Sequence, residues 1–137
     1  MNFFKHTAAA LATISAIAIA TLATPAAFAA EKAELQPTVG LWVLLDAKSG
    51  KEDEVAQFLL GGLAIVEGEP ATSTWYAVRL SPSQFAIFDT FPNDAGRGAH
   101  LSGKVAAALM AKAPEMLAHP PTIAKVDIMA SKLPATH

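Results

Sequence analysis

From Thr38 to Ser131 the chain alternates between two hydrophobic periods. "TVGLWVLLD" (Thr38–Asp46) is rich in β-formers and apolar on both alternating sides, Val39, Leu41, Val43 and Leu45 on one and Trp42 and Leu44 on the other, which predicts a strand buried on both faces. In "KSGKEDEVAQFLLGGLAIVEG" the period lengthens. Val55, Phe58, Leu59, Gly62, Leu63 and Val66 form one helical stripe, acids crowd the first turn, and Ser49 with Glu52 has the spacing of a capping box. Gly61 and Gly62 interrupt this helix at about 1 kcal/mol each relative to Ala, which predicts a close packing contact or an early end.

"TSTWYAVRL" (Thr72–Leu80) and "QFAIFDTF" (Gln84–Phe91) read as strands of a hairpin joined by "SPS", where Pro82 sets the turn. After Pro92, Asn93 or Asp94 is placed to cap a second helix running through Ala99, Val105, Ala106, Leu109, Met110 and Ala113 until Pro114 breaks or kinks it. "PEMLAH" is predicted to form a short turn and "PTIAKVDIMAS" (Pro121–Ser131) the last strand. The order is βαββαβ: an α+β, ferredoxin-like fold with a four-stranded antiparallel sheet and two helices on one face. Two helices cover one sheet face, yet the first strand is apolar on both, and Phe88 points away from Phe85 and Ile87. A second copy of the chain is the simplest cover, which predicts a C2 homodimer with sheets packed face to face.

The first 29 residues stand apart from this pattern. Lys5 precedes an uncharged Ala-rich run from Ala8 to about Ala23, followed by Pro25 and the small-x-small triplet Ala27, Phe28, Ala29, the form of a secretory signal peptide cleaved after about Ala29. The run falls short of the roughly 20 residues needed to span a bilayer, so no membrane anchor is expected after cleavage. The reading divides the chain into a signal peptide (1–29), a polar lead-in (30–37), one domain (38–131) and a tail (132–137), with a periplasmic or secreted location. Without the leader, 108 residues remain, with 9 basic against 12 acidic side chains and no basic stripe, which points away from nucleic acid. The absence of cysteine excludes disulfides, a thiolate nucleophile and a Cys metal site.

The candidate chemistry gathers in "FAIFDTFPNDAGRGAHLSG" (Phe85–Gly103), where a buried strand is followed by Asp, Arg and His within a few residues. On the second helix Arg97, His100 and Lys104 can share a face. An imidazole there could take a proton from a phenol while a cation holds the anion; the same three residues could equally form a solvated face. Asp89 lies on the side of Phe85, Ile87 and Phe91, an unusual place for a carboxylate, where it could orient His100 or pair with Arg79 on the neighbouring strand. Trp75 and Trp42 could stack on a flat ring and Tyr76 donate to it, or all three could be core. Trp75 and Tyr76 point to opposite faces, so at most one lines a pocket between sheet and helices, and Trp75 is favoured. His119 and His137 are too scattered to form a metal site with His100, and phosphate-loop, dinucleotide and serine-hydrolase motifs are absent.

The element order, "STWYAVRL", the "FAIFDTFPNDAGRGAHLSG" run into an Ala-rich helix and the closing "PPTIAKVDIMASKLP" together resemble the antibiotic biosynthesis monooxygenase family, in particular its quinol monooxygenase branch, over roughly Thr38–Pro134. The resemblance implies a dimeric α+β barrel. It also implies, for members with known activity, use of molecular oxygen on electron-rich phenols and hydroquinones without metal, flavin or other prosthetic group. His100 matches the family's helix histidine and Asp89 falls where the family usually has Glu, whereas Lys104 stands near where many relatives carry a second His. The expectation is an exported, cofactor-independent monooxygenase acting on a small quinol or phenol. In it His100 is the general base, Asp89 its orienting group, Arg97 the anion stabiliser, Trp75 a stacking wall and Tyr76 a further substrate contact. The alternative is a non-catalytic protein of the same fold that binds a small molecule, or haem through His100.

Overall fold

A computed structural model describes residues 24–26 and 36–134. The predicted signal peptide and its cleavage point, most of the lead-in, and His137 with the last residues of the tail lie outside the described residues.

The elements run β1 (Val39–Asp46), α1 (Glu52–Val66), β2 (Thr74–Arg79), β3 (Gln84–Phe91), α2 (Asp94–Leu101), α3 (Lys104–Met116) and β4 (Thr122–Asp127). The four strands form one antiparallel sheet in the order β2-β3-β1-β4, the ferredoxin-like arrangement. The pleat sorts side chains as the alternation predicts. Leu41, Val43 and Leu45 from β1 and Phe85, Ile87 and Phe91 from β3 face the helices, where Val55, Leu59, Leu109, Ala113 and Met116 meet them in one buried core. Each of these Val, Leu, Ile, Phe and Met side chains stabilises the fold by about 1.5–3 kcal/mol through the apolar surface it removes from water.

Three helices cover this face, where the sequence pattern predicted two. The second predicted helix divides at Ser102 and Gly103: Ser102 Oγ turns back to the carbonyls of Gly98 and Ala99, and Gly103 adopts an extended conformation before α3 begins. Pro114 lies inside α3, which continues to Met116. Its missing N–H is tolerable because Met110, one turn earlier, is exposed and its carbonyl can turn towards water. The capping box at Ser49 does not form. Helix α1 starts at Glu52 with Lys51 as its N-cap and no side-chain cap, and Gly50 takes a left-handed φ of 80° in the turn before it. The Gly61-Gly62 pair does not end α1. Gly62 is buried against the indole of Trp75, and a methyl group added there would lie 3.5 Å from two of its ring carbons.

The opposite sheet face carries Trp42 and Phe88, cross-strand partners with ring centroids 5.9 Å apart, beside Tyr76 (56% exposed) and Val78. Its apolar character agrees with the sequence pattern.

Candidate functional site

The site begins with a helix cap. Asn93, in an extended conformation, accepts a hydrogen bond from the Gly96 amide at 3.0 Å on its side-chain oxygen, which starts α2 directly after β3 and turns Arg97 and His100, three residues apart, into the protein. Their destinations differ.

Arg97 reaches the end of the sheet. Its guanidinium donates to the carbonyls of Gly40 in β1 (3.2 Å) and Val126 in β4 (3.3 Å) and pairs with Asp94. The expected anion-stabilising role is therefore corrected: these contacts hold Arg97 at the sheet end, and it lines neither cavity that His100 touches. The cation near His100 is Lys104, exposed at the rim of the outer cleft.

His100, only 7% exposed, lies between two carboxylates. Its Nδ1 meets Glu69 Oε2 at 2.5 Å, and Glu69 Oε2 also accepts from the Thr72 hydroxyl at 3.1 Å. Its Nε2 lies 3.1 Å from Asp89 Oδ2, within ion-pair range when the ring is protonated, and neither Asp89 oxygen receives a directed hydrogen bond. Burial pulls the His100 pKa down. The close contacts of the ring with Asp89 and then Glu69, together with their negative charges, more than reverse this and raise it above its ordinary value. Asp89, the orienting group expected from the sequence, is at the ring, and Glu69 joins it there as the better-directed partner. A carboxylate on Nδ1 selects the Nδ1–H tautomer and leaves Nε2 facing the interior.

Asp89 is 1% exposed in the apolar row of β3, and the alternative partner, Arg79, instead lies with its guanidinium carbon 4.7 Å over the Phe85 ring. Directly across the ladder from Asp89 is Trp75, whose indole Nε1 is also buried without a hydrogen-bond partner. Asp89, Trp75 and His100 line a cavity of about 30 Å³ that is otherwise apolar, walled by Leu41, Ile87 and Leu101 among others. On the other side of His100 a cleft of about 600 Å³ opens between the end of α1, the loop after it and the α2–α3 junction, with Glu69, Thr72 and Lys104 at its wall. Tyr76 does not join the site: the pleat puts it on the outer sheet face, against Phe88. Trp42 is on that face too. His119 is exposed beyond α3, and no group of three or more His, Asp or Glu side chains among the described residues is placed to hold a metal ion.

Sequence reasoning missed Glu69. It lies 31 residues from its partner in an irregular loop with no period to orient it; the only hint was a lone acid in "GEPATS", three residues before a Thr. The glycine at 103 makes room for it, since a Cβ there would come within 2.9 Å of Glu69 Oε1.

No model of a known family and no curated protein matches the sequence. Solved structures do. The NE2512 protein of unknown function from Nitrosomonas europaea is 46% identical, with a TM-score of 0.72 over 73% of this chain and 97% of that one. The chain belongs to the family of that protein. Two candidate antibiotic biosynthesis monooxygenases share the fold at lower identity. One, from Nitrosomonas europaea, has 12% identity and a TM-score of 0.61 over 67% of this chain and 99% of that one. The other, from Caulobacter crescentus, has 18% and 0.60 over 74% and 99%. The α+β, ferredoxin-like chain fold implied by the resemblance, that of the antibiotic biosynthesis monooxygenase proteins, is therefore the fold of this chain.

Proposed function

We propose that the protein is a cofactor-independent monooxygenase that deprotonates a small phenol or hydroquinone and lets its anion react with molecular oxygen. The observation that carries this reading is a buried imidazole with two carboxylate neighbours, facing an apolar cavity. Nε2 of neutral His100 takes the hydroxyl proton, the imidazolium that forms lies between Asp89 and Glu69, and the mainly apolar walls shield the electron-rich anion from bulk water. The substrate supplies the electrons. A hydroquinone and one dioxygen give a hydroxyquinone and one water, one oxygen atom ending on carbon. The ring enters by displacing side chains at the cavity's rim such as Leu101 and Ile123; Ile123 is 43% exposed on a strand that no helix packs against closely.

A homodimer joined through the outer sheet face, covering Trp42, Phe88 and Tyr76, and export through the amino-terminal leader belong to the same proposal. A ligand-binding protein without turnover is the second reading, favoured by the small size of the inner cavity. Haem ligation by His100 fits less well, because it requires breaking one of its two carboxylate contacts.

The test is oxygen uptake by residues 30–137 over hydroquinones and naphthols, corrected for spontaneous oxidation, beside His100→Ala. Saturable uptake lost in the variant supports the oxygenase; binding without uptake supports the second reading. Light scattering giving a monomer mass would remove the dimer.

A further inference from the structure

Two buried polar groups without a directed hydrogen bond stand on cross-strand partners and line one cavity: the Trp75 indole N–H on β2, a donor only, and the Asp89 carboxylate on β3, an acceptor only when ionised, whose Oδ2 lies 3.1 Å from His100 Nε2. Unsatisfied buried groups of this kind are rare and costly, about 1–3 kcal/mol each and more for a charge, so a pair lining one cavity calls for an occupant. The cavity's volume of about 30 Å³ is that of one water molecule or one hydroxyl group. Its remaining walls are mainly aliphatic apart from His100, whose Nε2 lies 3.1 Å from Asp89 Oδ2 and can receive the proton of the hydroxyl bound there.

A single atom that satisfies both groups must accept from Trp75 and donate to Asp89. A hydroxyl oxygen does both. A carbonyl or ether oxygen can accept from Trp75 but places its lone pairs against the Asp89 carboxylate. We propose that Trp75 and Asp89 form a hydroxyl-reading subsite, filled by water in the resting protein, that admits phenols and hydroquinones and rejects the corresponding quinones and aryl ethers. This deepens the oxygenase reading by giving the site a redox sense: it holds the reduced, hydroxylated form and releases the carbonyl form. The recognition itself needs no turnover.

The experiment is calorimetric titration of residues 30–137, free of oxygen, with 1-naphthol, 1-methoxynaphthalene and 1,4-naphthoquinone; the chain has no cysteine for the quinone to arylate. The expected result is tighter binding of the naphthol by about 10-fold or more over both others, since a site built to bond a hydroxyl discriminates strongly against analogues that lack it. In Asp89→Asn that ratio collapses, the naphthol weakening while the ether and the quinone gain, because an amide can donate where the carboxylate cannot. In Trp75→Phe all three weaken together and the ratio stays, because all three accept from the indole. Equal affinities in the unaltered protein, no naphthol binding, or an unchanged ratio in Asp89→Asn would each overturn the subsite. Should Asp89→Asn fail to fold, a changed ratio in Trp75→Phe does the same. Failure of the oxygenase reading shows separately, as hydroxyl-selective binding without oxygen uptake.

Discussion

The two sides of His100 are built in different ways. On the Nε2 side Asp89 is held by a strand register: β3 pairs with β1 and β2 over most of its length, and the carboxylate has almost no freedom to leave the core. On the Nδ1 side Glu69 is held by a loop, a hydroxyl contact from Thr72 and the lack of a side chain at Gly103. The rigid side faces the small inner cavity and the adjustable side faces the larger, open cleft. A ring fixed at one nitrogen by a partner that water can reach, with the other nitrogen presented to a small, mainly apolar cavity, can change protonation state without moving the sheet.

The largest effect separating the two sides should come from the ring itself. If oxygen uptake is the activity, His100→Ala removes the base common to both and lowers kcat by about 10²–10⁴-fold, read in an oxygen electrode. Glu69→Gln removes only the cleft-side charge. It should lower kcat less than His100→Ala does and move the acidic limb of the pH profile, which His100 sets as the base, to lower pH, with Glu69→Asp restoring part of both. A profile that does not move would mean the loop side is merely structural.

The pH dependence of stability gives a second comparison that needs no substrate. His100 titrates higher in the folded protein than its ordinary value of about 6.5, so the folded state holds its proton more tightly. That stabilisation is fully present below pH ~6.5 and is lost as pH rises through the folded pKa. Thermal melts should therefore show Tm falling with pH above about 6.5 by more than in His100→Gln. Asp89→Asn should lower the His100 midpoint further than Glu69→Gln does, because the more deeply buried charge is less screened. The reverse order, read by NMR titration of the ring, would make Glu69 the dominant charge.

The rigid side was legible in the sequence and the loop side was not, for one physical reason. Period-two alternation puts Asp89 in a row with Phe85, Ile87 and Phe91 whatever the distant contacts, and a good N-cap at Asn93 fixes the phase of His100 on its helix. The same reasoning separates Trp75 from Tyr76 on opposite faces. It fails at Arg97, whose helix face is right but whose long side chain finds the carbonyls at the sheet end, and at the Ser102-Gly103 break, where a local turn overrides a continuous apolar stripe. It cannot reach Glu69 at all, since a loop residue is positioned by tertiary contacts that no local period encodes.

The smallest predicted effect isolates Gly103. Gly103→Ala introduces a Cβ 2.9 Å from Glu69 Oε1 and 3.0 Å from the His100 carbonyl, so either the carboxylate or the chain around it must shift while every charge remains. If distance alone matters on the loop side, this variant lowers the His100 midpoint in the same direction as Glu69→Gln, by less, because the displaced carboxylate still acts through space. The control is the same substitution at Gly61, where an added Cβ meets nothing within 4 Å and the helix gains up to about 1 kcal/mol. That variant should melt higher and titrate unchanged. A Gly103→Ala protein whose ring titrates as before would show that the loop absorbs the methyl group and that Glu69, unlike Asp89, keeps its contact by following the ring.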